Sequence, residues 1–394
     1  MVCPRPFVHR WRCARGVERL VFNHVRKHAD SLQHITQAGA PSPAGPLMNH
    51  WSVLRLVCML PGPKLHNPYF DAAKRHHTPA GFRNNHPRVP PTQEELARLQ
   101  RDLGAQAPPS APQVDLSPVA PDLALLQANR TRDTVTWIGH STVLVQTGGR
   151  NLITDPMFSR RASPLPFAGP RRHQPPGIAL RDLPPIDLVL ISHNHYDHLD
   201  LPSVRALSRQ RGGPPGFAVP LGLERWFRRR LPHANVVALD WWESRAVTGV
   251  TVTLVPAHHW SARTPWDGNS NLWGGWAAER AGFRFFFSGD TAYSQDFPEV
   301  GRRLGPFDLA AIAIGHYEPR WFMRNNHINP EEAVRIHGEI GARRSLGIHW
   351  GTFEHLTIEP LDQPLRDLTA ARLARGVAEE EFFVLRHGQT RVIE

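Results

Sequence analysis

Apolar and polar positions divide this chain into short hydrophobic runs of strand length and a few longer, capped segments with helical period. Thr92 to Leu103 reads as a helix: Thr92 and Glu95 make a capping box, Leu96, Leu99 and Leu103 form an apolar stripe, and Gly104 is placed to stop it. Pro330 to Ile340 reads as another, with Asn329 as N-cap, Pro330 in its first turn and Glu332 completing the cap. Strand signals begin at Thr134–Trp137 and continue over Thr142–Thr154 as a hairpin turning at Gly148-Gly149. Later runs are Ile186–Ile191, the β-branched Gly249–Ala257, the aromatic Phe283–Phe287 and the short Ser345–Ile348. Strands and helices alternate, so the pattern predicts an α/β domain over residues 125–394. Residues 61–124 read as an extension with one helix and a Pro-rich stretch, Ala107–Asp122, expected to run extended.

The chemistry sits at the ends of the apolar runs. Ile186–Ile191 leads into Ser192-His193-Asn194-His195-Tyr196-Asp197-His198, three imidazoles and a carboxylate within six residues. Alternate residues of an extended chain point the same way, so His193 and His195 are placed to grip one ion, and Asp197 and His198, past the turn, face a neighbouring position. Three later runs end in the same manner: Gly249–Ala257 in His258-His259-Trp260, Phe283–Phe287 in Ser288-Gly289-Asp290-Thr291, and Ser345–Ile348 in His349-Trp350-Gly351. A histidine after a strand is by itself more often packed than ligating. Behind HxHxDH, these residues form a metal-binding constellation of N and O donors.

HxHxDH followed by His, Asp and His resembles the metallo-β-lactamase superfamily. Within it, the flanking text is similar to the N-acylphosphatidylethanolamine-hydrolysing phospholipase D family. The matching pieces include Trp137–Thr142, Thr154–Ser159, Arg161–Pro164, Leu239–Glu243, Phe285–Thr291 and, longest, Tyr317–Met323 through His327 and Pro330–His337 to His349–Phe353. The resemblance covers roughly residue 65 to the end, and the Tyr317–His337 block is what points to the lipid enzyme. It implies a four-layer αβ/βα sandwich with two divalent metal ions, zinc being the ion such donors suit. One ion would be held by His193, His195 and His259, the other by Asp197, His198 and His349, with Asp290 bridging. It further implies His327 as a catalytic residue, Arg263 and Tyr196 as substrate contacts, solvent between the ions as nucleophile, and a homodimer. His316 stands where the family has a small residue and is expected to pack rather than ligate. Ser163–Gly169, a candidate wall for acyl chains, keeps the family's frame without its polar residue.

Charge changes the picture only at the ends. The 394 residues carry a formal +11, of which residues 1–60 supply +6, leaving +5 for residues 61–394. No sustained Lys/Arg stripe with interleaved aromatics lies beyond residue 61, which disfavours a nucleic-acid partner. Residues 1–60 are rich in Arg and His and lack a clean apolar core of a secretory signal; Met48 is an alternative start, and Trp51–Leu60 is too short to span a bilayer. All three cysteines, Cys3, Cys13 and Cys58, fall in this segment, so the expected metals use no thiolate. The expectation is therefore a phospholipase D-type metallohydrolase, cytoplasmic or peripheral to a membrane, whose partners are a phospholipid and a membrane surface. A hydrolase of a soluble phosphoester or lactone, on the same fold, is the alternative.

Overall fold

The strands assemble into two seven-stranded sheets, and the alternation of side chains along each strand decides what each face buries. The computed structural model describes residues 66–89, 91–105, 112–264, 266–354, 356 and 358–394. The basic segment 1–60, its cysteines, the alternative start and the Trp51–Leu60 run lie outside the described residues, as do 107–111 of the Pro-rich stretch.

A two-strand hairpin, β1 (His77–Thr78) and β2 (Gly81–Phe82), precedes helix α1 (Gln93–Ala105) and the short α2 (Leu123–Ala128). The first sheet comprises β3 (Thr134–Gly139), β4 (Thr142–Thr147), β5 (Arg150–Thr154), β6 (Leu188–Leu190), β7 (Gly216–Pro220), β8 (Asn235–Leu239) and, at its edge, β16 (Thr390–Val392). The second runs from β9 (Ser244–Val247) through β10 (Val250–Val255), β11 (Gly275–Arg280), β12 (Phe283–Phe287), β13 (Leu309–Ala313) and β14 (Ser345–Ile348) to β15 (Phe382–Phe383). Strands β5 to β8 pair in parallel, as do β12 to β15, while β3–β4–β5 and β9–β10–β11–β12 are antiparallel. In consequence β3, β5, β6, β10, β12 and β14 all deliver their C-terminal ends to one edge.

Val143, Val145, Leu188 and Leu190 of the first sheet meet Val252, Leu254, Trp276, Phe285 and Phe287 of the second in one dry layer. Each such side chain, fully buried, contributes about 1.5–3 kcal/mol. The alternate residues Leu144, Val189 and Phe217 point outward, against helices α3 (Leu201–Leu207) and α4 (Glu224–Arg230) through Val204, Leu207 and Phe227. Helices α5 (Asp296–Leu304), α7 (Pro330–Glu339) and α8 (Gln363–Arg375) cover the second sheet through Phe297, Ile336 and Leu368. Helix, sheet, sheet, helix is the four-layer αβ/βα sandwich that the resemblance implied.

Several boundaries differ from the sequence reading. Helix α1 has the Thr92–Glu95 capping box but takes Gly104 into its last turn; carbonyls there have no intrahelical partner, so a glycine costs little. Leu96 and Leu99 pack on Phe322 and Met323 of α6 (Arg320–Met323). Helix α7 has the full capping box of Asn329 and Glu332 and ends at Glu339. Strand β3 continues to Gly139 through a register shift after Trp137. The hairpin turn holds Gly148 and Gly149 at φ of 52° and 72°, left-handed values that glycine adopts without penalty. The extension does not stand apart: His76 and His77 reach Asp240 at 2.6 and 2.8 Å, and Lys74 reaches it at 2.6 Å. This clasp ties the β1–β2 hairpin to the end of β8.

Candidate metal centre

Six strand ends converge, and each contributes at least one polar side chain. His193, His195, Asp197 and His198 follow β6, His259 follows β10, Asp290 follows β12 and His349 follows β14. Gly289 makes the approach possible: at φ 56° it lies so near the metal loop that an added Cβ would stand 2.7 Å from the Ser192 Cβ. His140 and His349 also take left-handed backbone, at φ 54° and 63°; a non-glycine residue held so costs on the order of 1–3 kcal/mol and recurs at functional sites.

The side chains fall into two sets, in each of which the donor atoms lie within 4.8 Å of one another. One is His193, His195, His259 and Asp290; the other is Asp197, His198, His349 and His140. Asp290 joins them, with Oδ2 at 3.1 Å from His198 Nε2 and Oδ1 at 3.1 Å from His349 Nε2, and Oδ2 at 3.8 Å from both His193 and His259 Nε2. All seven residues expected to ligate metal are thus brought together.

Hydrogen bonds on the far side of the rings show which nitrogens face inward. His198 Nδ1 donates to Asp155 Oδ2 at 2.7 Å. Ser192 Oγ donates to the same carboxylate at 2.5 Å and accepts from His193 Nδ1 at 2.9 Å. His259 Nδ1 donates to the Asn326 carbonyl at 2.9 Å. The Nε2 lone pairs of His193, His198 and His259 are therefore aimed inward, where His193 Nε2 meets His195 Nδ1 at only 2.8 Å. Among the described residues, His198 Nε2, His349 Nε2 and Asp290 Oδ1 are buried with no hydrogen-bond partner. Lone pairs and carboxylates turned on one another are repulsive unless a cation lies among them, and N/O sets of this kind fit divalent metal.

Electrostatics agree. Burial pushes the His193, His195 and His259 rings well below the ordinary histidine range. Burial also acts on His198 and His349, yet Asp290 and Asp197 outweigh it, holding His198 well above that range and His349 up at about 9. Against burial, His198 keeps Asp197 and Asp290 far below the usual carboxylate value, with His349 assisting. The pocket demands positive charge, which is what bound dications supply.

Two groups carry weight that the motifs did not assign them. Asp155, fully buried after β5, orients His198 directly and His193 through Ser192, and also accepts the Ser192 N–H at 2.7 Å. His140, after β3, donates from Nε2 to Asp197 Oδ2 at 3.1 Å and is pushed down to about 3, chiefly by burial. Both lie in pieces that match the family, Trp137–Thr142 and Thr154–Ser159, each as a polar residue at the end of a strand.

His327 lies at the rim, with Nδ1 3.9 Å from Asp290 Oδ2, buried and without a hydrogen-bond partner. Its ring packs on His316 at 4.3 Å, and His316 stacks on His349 at 5.7 Å. Arg263 is placed beneath the metal loop: its Nη1 donates to the carbonyls of Asn194 and Leu199 at 2.9 and 2.7 Å, and its guanidinium lies 4.0 Å from the centre of the Tyr196 ring. The Tyr196 hydroxyl returns a bond to the Arg263 carbonyl at 3.0 Å. Arg263, expected as a substrate contact, thus braces the loop through Nη1, giving donors to peptide carbonyls that would otherwise lack them.

A profile described as the Beta-lactamase superfamily domain matches residues 150–350. The N-acyl-phosphatidylethanolamine-hydrolyzing phospholipase D 1 of Caenorhabditis elegans is 46% identical over 250 residues, 60% of this chain and 70% of that protein. An uncharacterized protein of Mycobacterium tuberculosis is 39% identical over 282 residues, 71% of this chain and 74% of its own. Among solved structures, an isothiocyanate hydrolase from Delia radicum gut bacteria superposes with a TM-score of 0.52 at 18% identity, covering 66% of this chain and 99% of that one, a likeness of fold alone. The chain is a metal-dependent hydrolase that uses divalent metal. Likeness that runs well beyond the ligands, joined to this donor set, places it in the N-acylphosphatidylethanolamine-hydrolysing phospholipase D family of the metallo-β-lactamase superfamily.

Proposed function

We propose that this chain is a phosphodiesterase of phospholipase D type that hydrolyses N-acylphosphatidylethanolamine to N-acylethanolamine and phosphatidic acid. The observation that carries the reading is the wall built by the Tyr317–His337 block, the part of the resemblance specific to the lipid enzyme. It sets His327 beside Asp290 and supplies the Asn326 carbonyl that orients His259. Arg320 fixes this wall by donating to the His327 carbonyl at 2.7 Å and to Glu332 at 2.6 Å. A small hollow lined by His140, His316, His349, Thr352, Phe353, Leu356, Glu359 and Leu361 adjoins the second donor set.

His193, His195 and His259 would hold one ion and Asp197, His198 and His349 the other, with Asp290 shared; we propose zinc. When bound, such a pair polarises the phosphoryl group and lowers the pKa of water to about 7. The chain's own part is to orient and to move a proton. Asp155 and Asn326 fix the ring tautomers, and His140 holds Asp197. As the bond between phosphorus and the ethanolamine oxygen breaks, the leaving oxygen needs a proton, and His327, kept neutral chiefly by burial, is placed to take one from the attacking water and pass it on.

The test gives metal-replete protein mixed micelles of N-acylphosphatidylethanolamine and identifies products by mass spectrometry. Release of N-acylethanolamine with phosphatidic acid is expected. No release from protein holding both metals would reject the lipid substrate in favour of a soluble phosphoester or lactone.

A further inference from the structure

One concentration of positive charge in the described domain lies over α3 and α4, and another is residues 160–181, with five arginines and no acid. Residues 201–234 hold seven arginines against one acid, Glu224, a net +6. Residues 61–394 together carry +5, so everything else in that stretch is net −1. In the chain the arginines are broken up by apolar and glycine-rich text. Folding unites them, because α3 and α4 lie on the outer face of the same sheet over one hydrophobic cluster. Arg205, Arg209, Arg211, Arg228 and Arg229 are exposed, and none makes an ion pair among the described residues. The one acid is already occupied, since the Tyr69 hydroxyl donates to Glu224.

A second observation is independent of charge. Among the described residues three aromatic side chains are exposed: Phe70 at 45%, Phe167 at 61% and Trp266 at 41%. Two of them, Phe70 and Trp266, stand on segments that border α4. Phe70 follows Tyr69, which is bonded to α4. Trp266 lies in the loop after Arg263, whose guanidinium sits 5.4 Å from the Trp226 ring of α4. The same Arg263 braces the metal loop, so this face adjoins the metal centre.

We propose that the α3–α4 face docks the chain on an anionic phospholipid bilayer, with Phe70 and Trp266 entering the interface and the arginines meeting phosphate. This rests on the lipid reading above, and charge complementarity selects the occupant. Acylating the amine of phosphatidylethanolamine removes its positive charge and leaves the phosphate's negative one, so both the lipid substrate and its phosphatidic acid product are anionic. Arginines near such a surface act additively, and aromatic side chains favour its boundary.

The test sediments metal-loaded full chain with vesicles of phosphatidylcholine, alone or with one third phosphatidylserine. Neither contains N-acylphosphatidylethanolamine, so the result stands apart from the substrate claim. Expected is binding to the anionic vesicles only, weakened by salt. Arg228→Gln with Arg229→Gln should lower partitioning roughly 30-fold, at about 5-fold per arginine (~1 kcal/mol each), with metal content and melting temperature unchanged. Trp266→Ala should lower it as well. Arg302→Gln with Arg303→Gln, on α5 at the opposite face, should leave it unchanged. Residues 1–60 are present throughout and cancel in the comparison. Undiminished partitioning of the first double variant, or equal loss in the second, would overturn the proposal. So would a gel shift with RNA that the first double variant loses while its vesicle binding stays.

Discussion

Asp155→Asn is the sharpest probe of how the centre is built. The carboxylate is fully buried and accepts three bonds: from the Ser192 N–H at 2.7 Å, the Ser192 hydroxyl at 2.5 Å and His198 Nδ1 at 2.7 Å. Asparagine keeps one acceptor oxygen and turns an NH2 on the Ser192 N–H or, in the other orientation, on the Ser192 hydroxyl and His198 Nδ1. At least one charge-assisted bond is lost, about 1.5–3 kcal/mol of folding stability. His198 can relieve the clash by moving its proton from Nδ1 to Nε2, which turns a donor hydrogen on the space between Asp197 and Asp290. That tautomer cannot ligate. Removing the partner that orients a ligating histidine typically costs 10–100-fold in metal affinity. Chelator competition and then elemental analysis should therefore show at least one ion bound about 10–100 times more weakly, with a lowered melting temperature for the apo chain. Ser192→Ala, which spares the His198 bond, should cost less. Two ions held at wild-type affinity in Asp155→Asn would refute the reasoning.

Asp290→Asn should bring turnover to background and release metal, because both donor sets lose their shared charge; elemental analysis beside the lipid assay reads both. His327→Ala should lower turnover by about 10²–10⁴-fold with both metals retained, and a loss of metal in that variant would make His327 structural. Burial raises the Glu359 carboxyl from 4.5 to about 7, against hydrogen bonds from the backbone of His316, Tyr317 and Glu318. Its folded value lies above its unfolded one, so the folded chain binds the proton more tightly. Stability from this group is full below pH 4.5 and is lost as pH rises to about 7, about 3 kcal/mol in all. Denaturant midpoints across that window should fall less steeply in Glu359→Gln than in the parent, and identical slopes would count against it.

Features that depend on near neighbours were legible in the chain before it folded. Capping boxes join residues three apart, so the starts of α1 and α7 could be read at Thr92 and Asn329. Short β-branched and aromatic runs marked β4, β5, β10 and β12, and the Gly148-Gly149 pair marked the turn chemistry. HxHxDH is informative because its donors are fixed by two-residue spacing on one strand end, and the residues matching the family extended it to His259, Asp290 and His349. Features that depend on strands meeting emerged only in three dimensions. Asp155 lies 43 residues from His198, and His140 lies 57 from Asp197. Only the parallel pairing of β5 with β6, and the shared direction of β3, put those pairs in contact. Arg263 also serves as a brace, because carbonyls of another loop lie within reach of its Nη1. The arginines of α3 and α4, scattered along the chain, became one face once both helices lay on the same sheet. Local propensity is written in neighbouring side chains, while the partners of a buried polar group are chosen by the packing of distant strands, which no short stretch of sequence contains.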